Sequence, residues 1–243
     1  MKRLTWLILL CLTLLPMTAQ AVPKPSYIDG DPLPLPVEVL DSPYPADEWF
    51  GLAPVAVRIT TPNGQALYFA SQFLQPVAHA ADVNFDGVDD LVVTVDPGGT
   101  NIIYRLFIRR GGRYVPVDDG HEKGLYNLQL YPRQGLVASH AVSGEAGALH
   151  EEVLLRWEGH RLIPVRRAVC HYRQEGYSQE DVYTQTTWYN VLHARVYAIG
   201  APGYGDQLLW EETYDMQANG MDAAYDAFYR REQNALWQGL EGK

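Results

Sequence analysis

Turn signals recur at short, regular intervals along most of this sequence, and they constrain its fold more than any other feature. Pro62-Asn63-Gly64 separates two stretches rich in alternating apolar residues, as is typical of a β-hairpin. Further turn sequences stand at Asp96-Pro97-Gly98-Gly99, Gly111-Gly112, Pro132-Arg133-Gln134-Gly135 and Glu158-Gly159-His160. Short strands with turns every ~8–12 residues predict an all-β fold of antiparallel propeller-like or meander sheets.

The end of the chain carries a different pattern. Apolar residues recur there at largely helical spacing, namely Met221, Ala224, Tyr225, Phe228, Tyr229 and Leu236. Such a stripe is typical of an amphipathic helix that buries one face against neighbouring elements. The sequence therefore predicts a C-terminal helix packed on the β-sheets, and a partner-binding helix is the alternative.

The first 21 residues have the features of a secretory signal. Lys2 and Arg3 precede an apolar stretch over positions 4–15, and Ala19-Gln20-Ala21 places small residues where a signal peptidase cleaves. The apolar stretch is too short to cross a bilayer as a stable helix, so we expect no membrane span. These features predict export to the periplasm and a mature chain that starts at Val22.

Composition divides the rest of the chain into three parts. Residues 22–50 are rich in proline and largely lack periodicity, which is typical of an extended arm or linker. Part of this arm is predicted to lie along a sheet as an edge, because apolar residues alternate at Leu33, Leu35, Val37 and Val39. Residues 51–215 form the predicted β domain, and residues 216–243 contain the predicted helix.

The chain is acidic and poor in cysteine. Without Lys2 and Arg3 it has 17 basic residues against 29 acidic ones, a net charge of −12. That charge argues against nucleic acid as a partner and favours a basic protein partner. Only Cys170 remains after removal of the signal, so an internal disulfide is excluded.

An acidic loop lies between two apolar stretches, at residues 82–90. Gly87 takes its sixth place, where the chain turns sharply, and the seventh residue offers a backbone carbonyl. Side chains with oxygen atoms take the first, third, fifth and ninth places. This is the spacing with which EF-hand loops surround Ca²⁺. The sequence therefore predicts a Ca²⁺ site formed by Asp82, Asn84, Asp86, Val88 and Asp90.

The acidic loop departs from the EF-hand pattern at its twelfth place, where Val93 stands instead of a bidentate Glu. An acidic surface turn that binds no ion is the alternative. Carboxylates about 4 Å apart repel by roughly 1 kcal/mol per pair in water and by more when partly desolvated. Because no Lys or Arg lies between Arg58 and Arg105 in the sequence, we expect a bound ion to offset that repulsion and to stabilise the fold.

The residues after the acidic loop extend the pattern. An apolar strand is followed by Gly98-Gly99-Thr100-Asn101, by Tyr104 and Phe107, and by Gly111-Gly112-Arg113-Tyr114. Residues 151–165 then provide a tryptophan strand that turns into a Leu-x-x-Val strand. Over residues 77–172 this sequence resembles the periplasmic calcium-binding immunity proteins that protect bacteria from their own lysozyme-like antibacterial effectors.

The resemblance implies a propeller-like β protein with an EF-hand-type calcium loop. It further implies a periplasmic, calcium-stabilised inhibitor of a lysozyme-like peptidoglycan hydrolase, or of another glycan-hydrolase effector. A calcium-binding adhesion or envelope-binding module is the alternative. Aromatic residues are the expected anchors of an inhibitory surface, and the candidates, for which core packing is the alternative, are Tyr104, Tyr126, Tyr131, Trp188 and Tyr204.

The sequence shows no arrangement typical of a catalytic site. Its seven histidines include no HExxH motif and no paired metal spacing. Cys170 and His171 are adjacent on a predicted strand, as are Glu151 and Glu152, so each pair points to opposite faces. The sequence therefore predicts that the protein is not an enzyme, and a hydrolase site assembled from distant residues is the least favoured alternative.

Overall fold

The computed structural model describes residues 22–41, 55–120, 123–144, 147–174, 190–200, 205–215 and 223–240. These residues form fourteen strands and one helix. The strands lie in three antiparallel sheets, and the helix follows the last strand. The prediction of an all-β fold with antiparallel sheets and a C-terminal helix is confirmed.

Each sheet is built mainly from strands that follow one another in sequence. The first sheet contains β1 (Val37–Asp41), β2 (Val55–Thr60) and β3 (Ala66–Ser71). The second contains β4 (Val77–Ala81), β5 (Asp90–Asp96), β6 (Ile103–Arg110) and β7 (Arg113–Pro116), and β8 (Leu125–Tyr126) pairs with β6. The third contains β9 (Gln129–Tyr131), β10 (Leu136–Gly144), β11 (Leu149–Glu158), β12 (Arg161–Gln174), β13 (Asn190–Ala198) and β14 (Gln207–Asp215). The helix α1 spans Ala223–Trp237.

The second sheet lies between the other two. Leu91 and Val93 of β5 pack in a cluster with Ile59 of the first sheet. Val92, between them, packs in a second cluster with Val137 of the third sheet. Because successive strand residues point to opposite faces, β5 is buried on both sides, which explains its unbroken apolar sequence.

The third sheet lies between the second sheet and α1. Its Val137 and Leu155 face the second sheet, whereas Ala138 and Leu154 pack with Leu236 of α1. The layers therefore follow the order first sheet, second sheet, third sheet, helix. The helix closes an apolar face that would otherwise be open to solvent.

The described part of the proline-rich arm connects all three sheets. Ser26 exchanges two backbone hydrogen bonds with Leu130 of the third sheet, at 2.8 and 2.9 Å. Leu33 donates its N–H to the carbonyl of Ala78 in the second sheet at 2.7 Å, and its side chain packs on the core there. The arm then forms β1, which pairs with β2 in the first sheet. The predicted edge is thus present.

Two asparagines connect the second and third sheets. The side chain of Asn101, in the turn after β5, accepts a hydrogen bond from the N–H of Val142 and donates one to its carbonyl, at 2.8 and 2.7 Å. Asn127 accepts from the N–H of Ile102 and donates to the carbonyl of His140, both at 2.9 Å. Its φ of +40° lies in the left-handed region that Asn tolerates better than most residues.

Candidate functional site

The acidic loop (residues 82–90) is the turn of the hairpin between β4 and β5. Two of its residues have left-handed backbone angles: Phe85 with φ +64° and Gly87 with φ +84°. Gly adopts that conformation without strain, whereas it is uncommon for other residues. The glycine at the sixth place therefore has the backbone role that the sequence pattern predicts.

Backbone N–H groups of the loop point at its own polar side chains. The two carboxylate oxygens of Asp82 accept hydrogen bonds from the N–H groups of Asp86 and Gly87, at 3.0 and 2.9 Å. Asn84 Oδ1 accepts from the N–H of Asp86 at 3.1 Å. Asp86 Oδ1 accepts from the N–H of Val88 at 2.9 Å. These hydrogen bonds stabilise the turn and fix the orientations of the three side chains.

Asp90 has a second role, which the sequence did not indicate. Its side chain is buried, and its two oxygens accept hydrogen bonds from the N–H groups of Val83 and Arg109, at 3.2 and 2.7 Å. Burial raises the pKa of Asp90 to about 6, and the charge of Asp86 adds to this increase while the backbone hydrogen bonds oppose it. Asp90 thus connects the loop with strand β6.

Trp157 connects the same loop with the third sheet. Its indole N–H donates to the carbonyl of Val83 at 2.8 Å, and its ring packs on the core between the second and third sheets. Val83 therefore has its N–H bound to Asp90 and its carbonyl bound to Trp157. The shape of the loop is in this way coupled to two sheets.

The predicted ligands lie together on one loop. Within the described ranges, no group of three or more His, Cys, Asp or Glu side chains could hold a metal ion as placed. The carboxylates face backbone N–H groups instead. Val88 is 42% exposed at the loop, and Val93, at the twelfth place, is buried in β5.

Three of the five candidate anchors lie among the described residues, and each of the three is at least partly buried. Tyr131 is buried, packs against Trp237 at a ring-centroid distance of 4.5 Å and is unsuited to bind a partner. Tyr104 and Tyr126 are half-buried against two different core clusters. The other two candidates, Trp188 and Tyr204, lie outside the described residues.

A buried polar cluster lies between the third sheet and α1, and the sequence reasoning missed it. His150 Nε2 lies 3.1 Å from Glu232 Oε2, and both side chains are almost completely inaccessible to solvent. On the other side of the ring, Nδ1 lies 3.2 Å from the carbonyl of Gly147 and 3.1 Å from that of Ala148. Glu232 is therefore paired with a histidine that is 82 positions away in the sequence.

A second carboxylate belongs to the same buried cluster. Glu152 Oε2 accepts a hydrogen bond from Gln233 Nε2 at 3.0 Å and lies 3.3 Å from His140 Nδ1. The rings of His140 and His150 are stacked with centroids 5.4 Å apart. We define the buried cluster by these five residues: His140, His150, Glu152, Glu232 and Gln233.

One local signal pointed to the buried cluster. Glu232 lies four positions after Phe228 and four before Leu236, so it falls within the apolar stripe of the helix. A carboxylate at such a position needs a buried partner. The identity of that partner could not be read from the sequence, because it depends on how α1 lies across the third sheet.

The adjacent pairs considered as catalytic groups point apart, as predicted. Glu152 is buried under α1, whereas Glu151 is exposed and pairs with Arg167 at 2.8 Å. Cys170 is buried on the helix side, and its burial raises the pKa of the thiol to about 12. A thiol with that pKa is a poor nucleophile near neutral pH.

Comparison with known proteins gives no match: neither a family model, nor a curated protein, nor a solved structure matches this chain. Among the described residues, no helix is both long and apolar enough to cross a membrane.

Proposed function

We propose that this chain is an exported, calcium-stabilised protein inhibitor of a lysozyme-like peptidoglycan hydrolase. The observation that supports it best is the acidic loop, which combines the oxygen spacing of a Ca²⁺ site with connections to two sheets. The hydrolase as the partner rests on the resemblance of residues 77–172 to periplasmic immunity proteins and on the features of the first 21 residues.

The donor set suits Ca²⁺. It offers three carboxylates, one amide oxygen and one backbone carbonyl, and hard cations such as Ca²⁺ prefer oxygen ligands. Each oxygen of these carboxylates accepts at least one hydrogen bond, and since a carboxylate has about four lone-pair sites, each of the three keeps at least one site for a cation. Water completes the six to eight ligands that Ca²⁺ takes, because the twelfth place is valine.

The electrostatics of the loop favour a cation. Within the described part of the chain, no ion pair involves Asp82, Asp86, Asp89 or Asp90. The charge of Asp86 already raises the pKa of Asp90. A divalent cation offsets such repulsion directly, and its effect is largest at Asp90, which is buried.

Calcium acts through the connections of the loop. Holding residues 82–90 in one conformation also fixes Val83, which hydrogen-bonds both Asp90 and Trp157. The junction of the second and third sheets is then more rigid. A protein surface that is ordered before it meets its partner loses less entropy on association, which strengthens binding.

The net charge fits a basic partner. A mature chain with a charge of −12 attracts a basic, lysozyme-like enzyme over distances of about 10 Å and gives an association rate that falls with added salt. A neighbouring gene that encodes a secreted peptidoglycan hydrolase would favour this proposal and supply the enzyme for the test.

The test is a peptidoglycan-lysis assay with that hydrolase, titrated with the mature protein in calcium and after chelation. We expect lysis to be inhibited in calcium and inhibition to weaken without it. Asp86→Ala removes the ligand oxygens at the fifth place and should weaken inhibition as chelation does. Asp89→Ala removes the same side chain from the eighth place, which supplies no ligand, and should behave as the unmodified protein.

Two outcomes would count against the inhibitor. Unchanged lysis at saturating protein, with no complex in a pull-down, would favour the adhesion or envelope-binding module instead. Release of peptidoglycan fragments by the protein alone would favour the hydrolase alternative.

A further inference from the structure

Both ring nitrogens of His150 face hydrogen-bond acceptors. Nδ1 lies 3.2 and 3.1 Å from two backbone carbonyls, which can only accept, so Nδ1 carries a proton. Nε2 lies 3.1 Å from a carboxylate oxygen of Glu232. A proton must also lie between those two atoms, because a bare nitrogen lone pair and a carboxylate oxygen repel each other. The pair therefore holds one more proton than a neutral histidine beside an ionised glutamate.

Loss of that proton is costly at this place. Glu232 is fully buried, and its Oε1 has no hydrogen-bond partner among the described residues. Without the shared proton, an ionised carboxylate would remain in a buried site facing a nitrogen lone pair. Water can reach the carboxylate only if α1 moves away from the third sheet. Deprotonation of the pair therefore favours separation of the helix from the sheet.

We propose that the His150–Glu232 pair is a proton-dependent contact that holds α1 on the third sheet at neutral pH and releases it as the pH rises. Separation of α1 would uncover the apolar face that Leu154 and Ala168 present to Leu236 and Trp237. The device is independent of the acidic loop and of the proposed inhibition, since neither supplies a group to it.

The charged groups around His150 favour its protonated form. Burial lowers the pKa of His150, but its hydrogen bond to Glu232 and the charges of Glu232 and Glu152 outweigh that effect and raise the pKa above 6.5. Glu152, on β11, is bound to Gln233 of α1 and lies near His140 of β10.

The other titratable groups near the pair are neutral across the relevant range. From β12, Cys170 has its pKa raised to about 12 by burial, and from α1, Tyr225 has its pKa raised to about 12 by burial. Burial also raises the pKa of Tyr229 on α1 and of Tyr131 on β9. None of these four gains a charge between about pH 6 and pH 9, so they do not account for a change there.

The sign of the effect follows from proton linkage. The state with α1 packed on the third sheet binds the proton more tightly than the state with α1 separated. The stabilisation that the pair gives to the packed state is therefore complete below pH 6.5 and is lost as the pH rises through the raised pKa of His150. One proton changes the opening equilibrium of α1 by at most about tenfold per pH unit in that window.

The test is hydrogen exchange of the whole protein, followed by mass spectrometry between about pH 6 and pH 9. We expect the protection factors of α1 peptides to fall by up to about tenfold per pH unit above pH 6.5, whereas peptides of β2 and β3 in the first sheet do not change. Glu232→Gln can donate to Nε2 of a neutral His150, so this variant should keep α1 protected and lose the pH dependence. The control Arg231→Gln breaks an exposed ion pair between α1 and Glu212 of β14, and this variant should keep the pH dependence.

A spectroscopic measurement makes the test independent of how well a variant folds. The ring ¹⁵N shifts of His150 in the unmodified protein should be those of a ring with both nitrogens protonated near neutral pH. A neutral His150 near pH 7 would overturn the proposal. So would α1 protection that does not vary with pH, or a pH dependence that survives Glu232→Gln.

Discussion

The acidic loop and the buried cluster provide different kinds of partner for the negative charges of their carboxylates. In the loop, the oxygens of Asp82 and Asp86 face N–H groups within the same nine residues, close to solvent. In the buried cluster, Glu232 and Glu152 face side chains from other elements, 82 and 81 positions away along the sequence for His150 and Gln233. The loop carboxylates thus have partners that are close in sequence and lie near solvent, whereas the cluster carboxylates have partners that are distant in sequence and are buried.

The difference determines what each region responds to. Backbone N–H groups orient the loop carboxylates but carry no full charge, so the negative charge of the loop still favours binding of a cation. The buried cluster already contains its counter-charge as a proton on His150. We therefore expect Ca²⁺ to act on the loop and not on the cluster, whereas pH acts on the cluster and, near pH 6, on the loop through Asp90.

The largest expected effect is at the buried cluster. His150→Leu leaves the Glu232 carboxylate buried without its partner, which should lower the free energy of unfolding by about 3–5 kcal/mol. The double variant His150→Leu with Glu232→Leu removes both polar groups and should recover most of that loss. Urea unfolding at neutral pH measures both. Equal losses in the single and double variants would show that the unpaired carboxylate of Glu232 is not the cause of the loss.

A smaller effect is expected at the loop backbone. Gly87→Ala places a Cβ in open space, but its φ of +84° is unfavourable for alanine, so we expect a loss of about 1–2 kcal/mol. Thermal unfolding in calcium and in chelator checks this. The control is Gly99→Ala in the β5–β6 turn, where φ is not left-handed and nothing lies within 4 Å. If both variants lose equally, the backbone shape of the loop is not the cause.

The smallest effect concerns the contact between the loop and the third sheet. Trp157→Phe keeps a ring in the core and removes the hydrogen bond to Val83, which should lower stability by about 1 kcal/mol. The stabilisation gained from calcium should also fall, because the ion then orders less of the molecule. Calcium titrations followed by thermal unfolding compare the two proteins. If calcium stabilises both proteins by the same amount, the loop acts on the second sheet alone.

Local patterns account for the parts of the fold that the sequence predicted. The Pro62-Asn63-Gly64 turn joins β2 and β3, and Gly64 has the positive φ that such a turn requires. The oxygen-bearing residues of the acidic loop could be recognised for the same reason, since they lie within nine consecutive positions. Information of this kind is contained in a short window of sequence.

What could not be predicted depends on how distant elements meet. Asp90 was recognised as a candidate ligand, but its bond to the N–H of Arg109 requires β5 and β6 to pair in one register. The contact of Trp157 with Val83 requires the third sheet to lie against the second. Tyr131 was a candidate anchor because an exposed and a buried aromatic residue look alike in one sequence.

The calcium dependence of stability tests the central claim most directly. The mature protein, freed of metal and verified as such, is unfolded thermally with and without a hundredfold excess of Ca²⁺ over its Kd. Binding to the folded state alone should add about 2.7 kcal/mol and raise Tm by about 5–10 °C, with about one ion bound per chain by calorimetry. Asp86→Ala combined with Asp90→Ala should abolish the shift. No calcium-dependent change in Tm and no heat of binding would contradict the account.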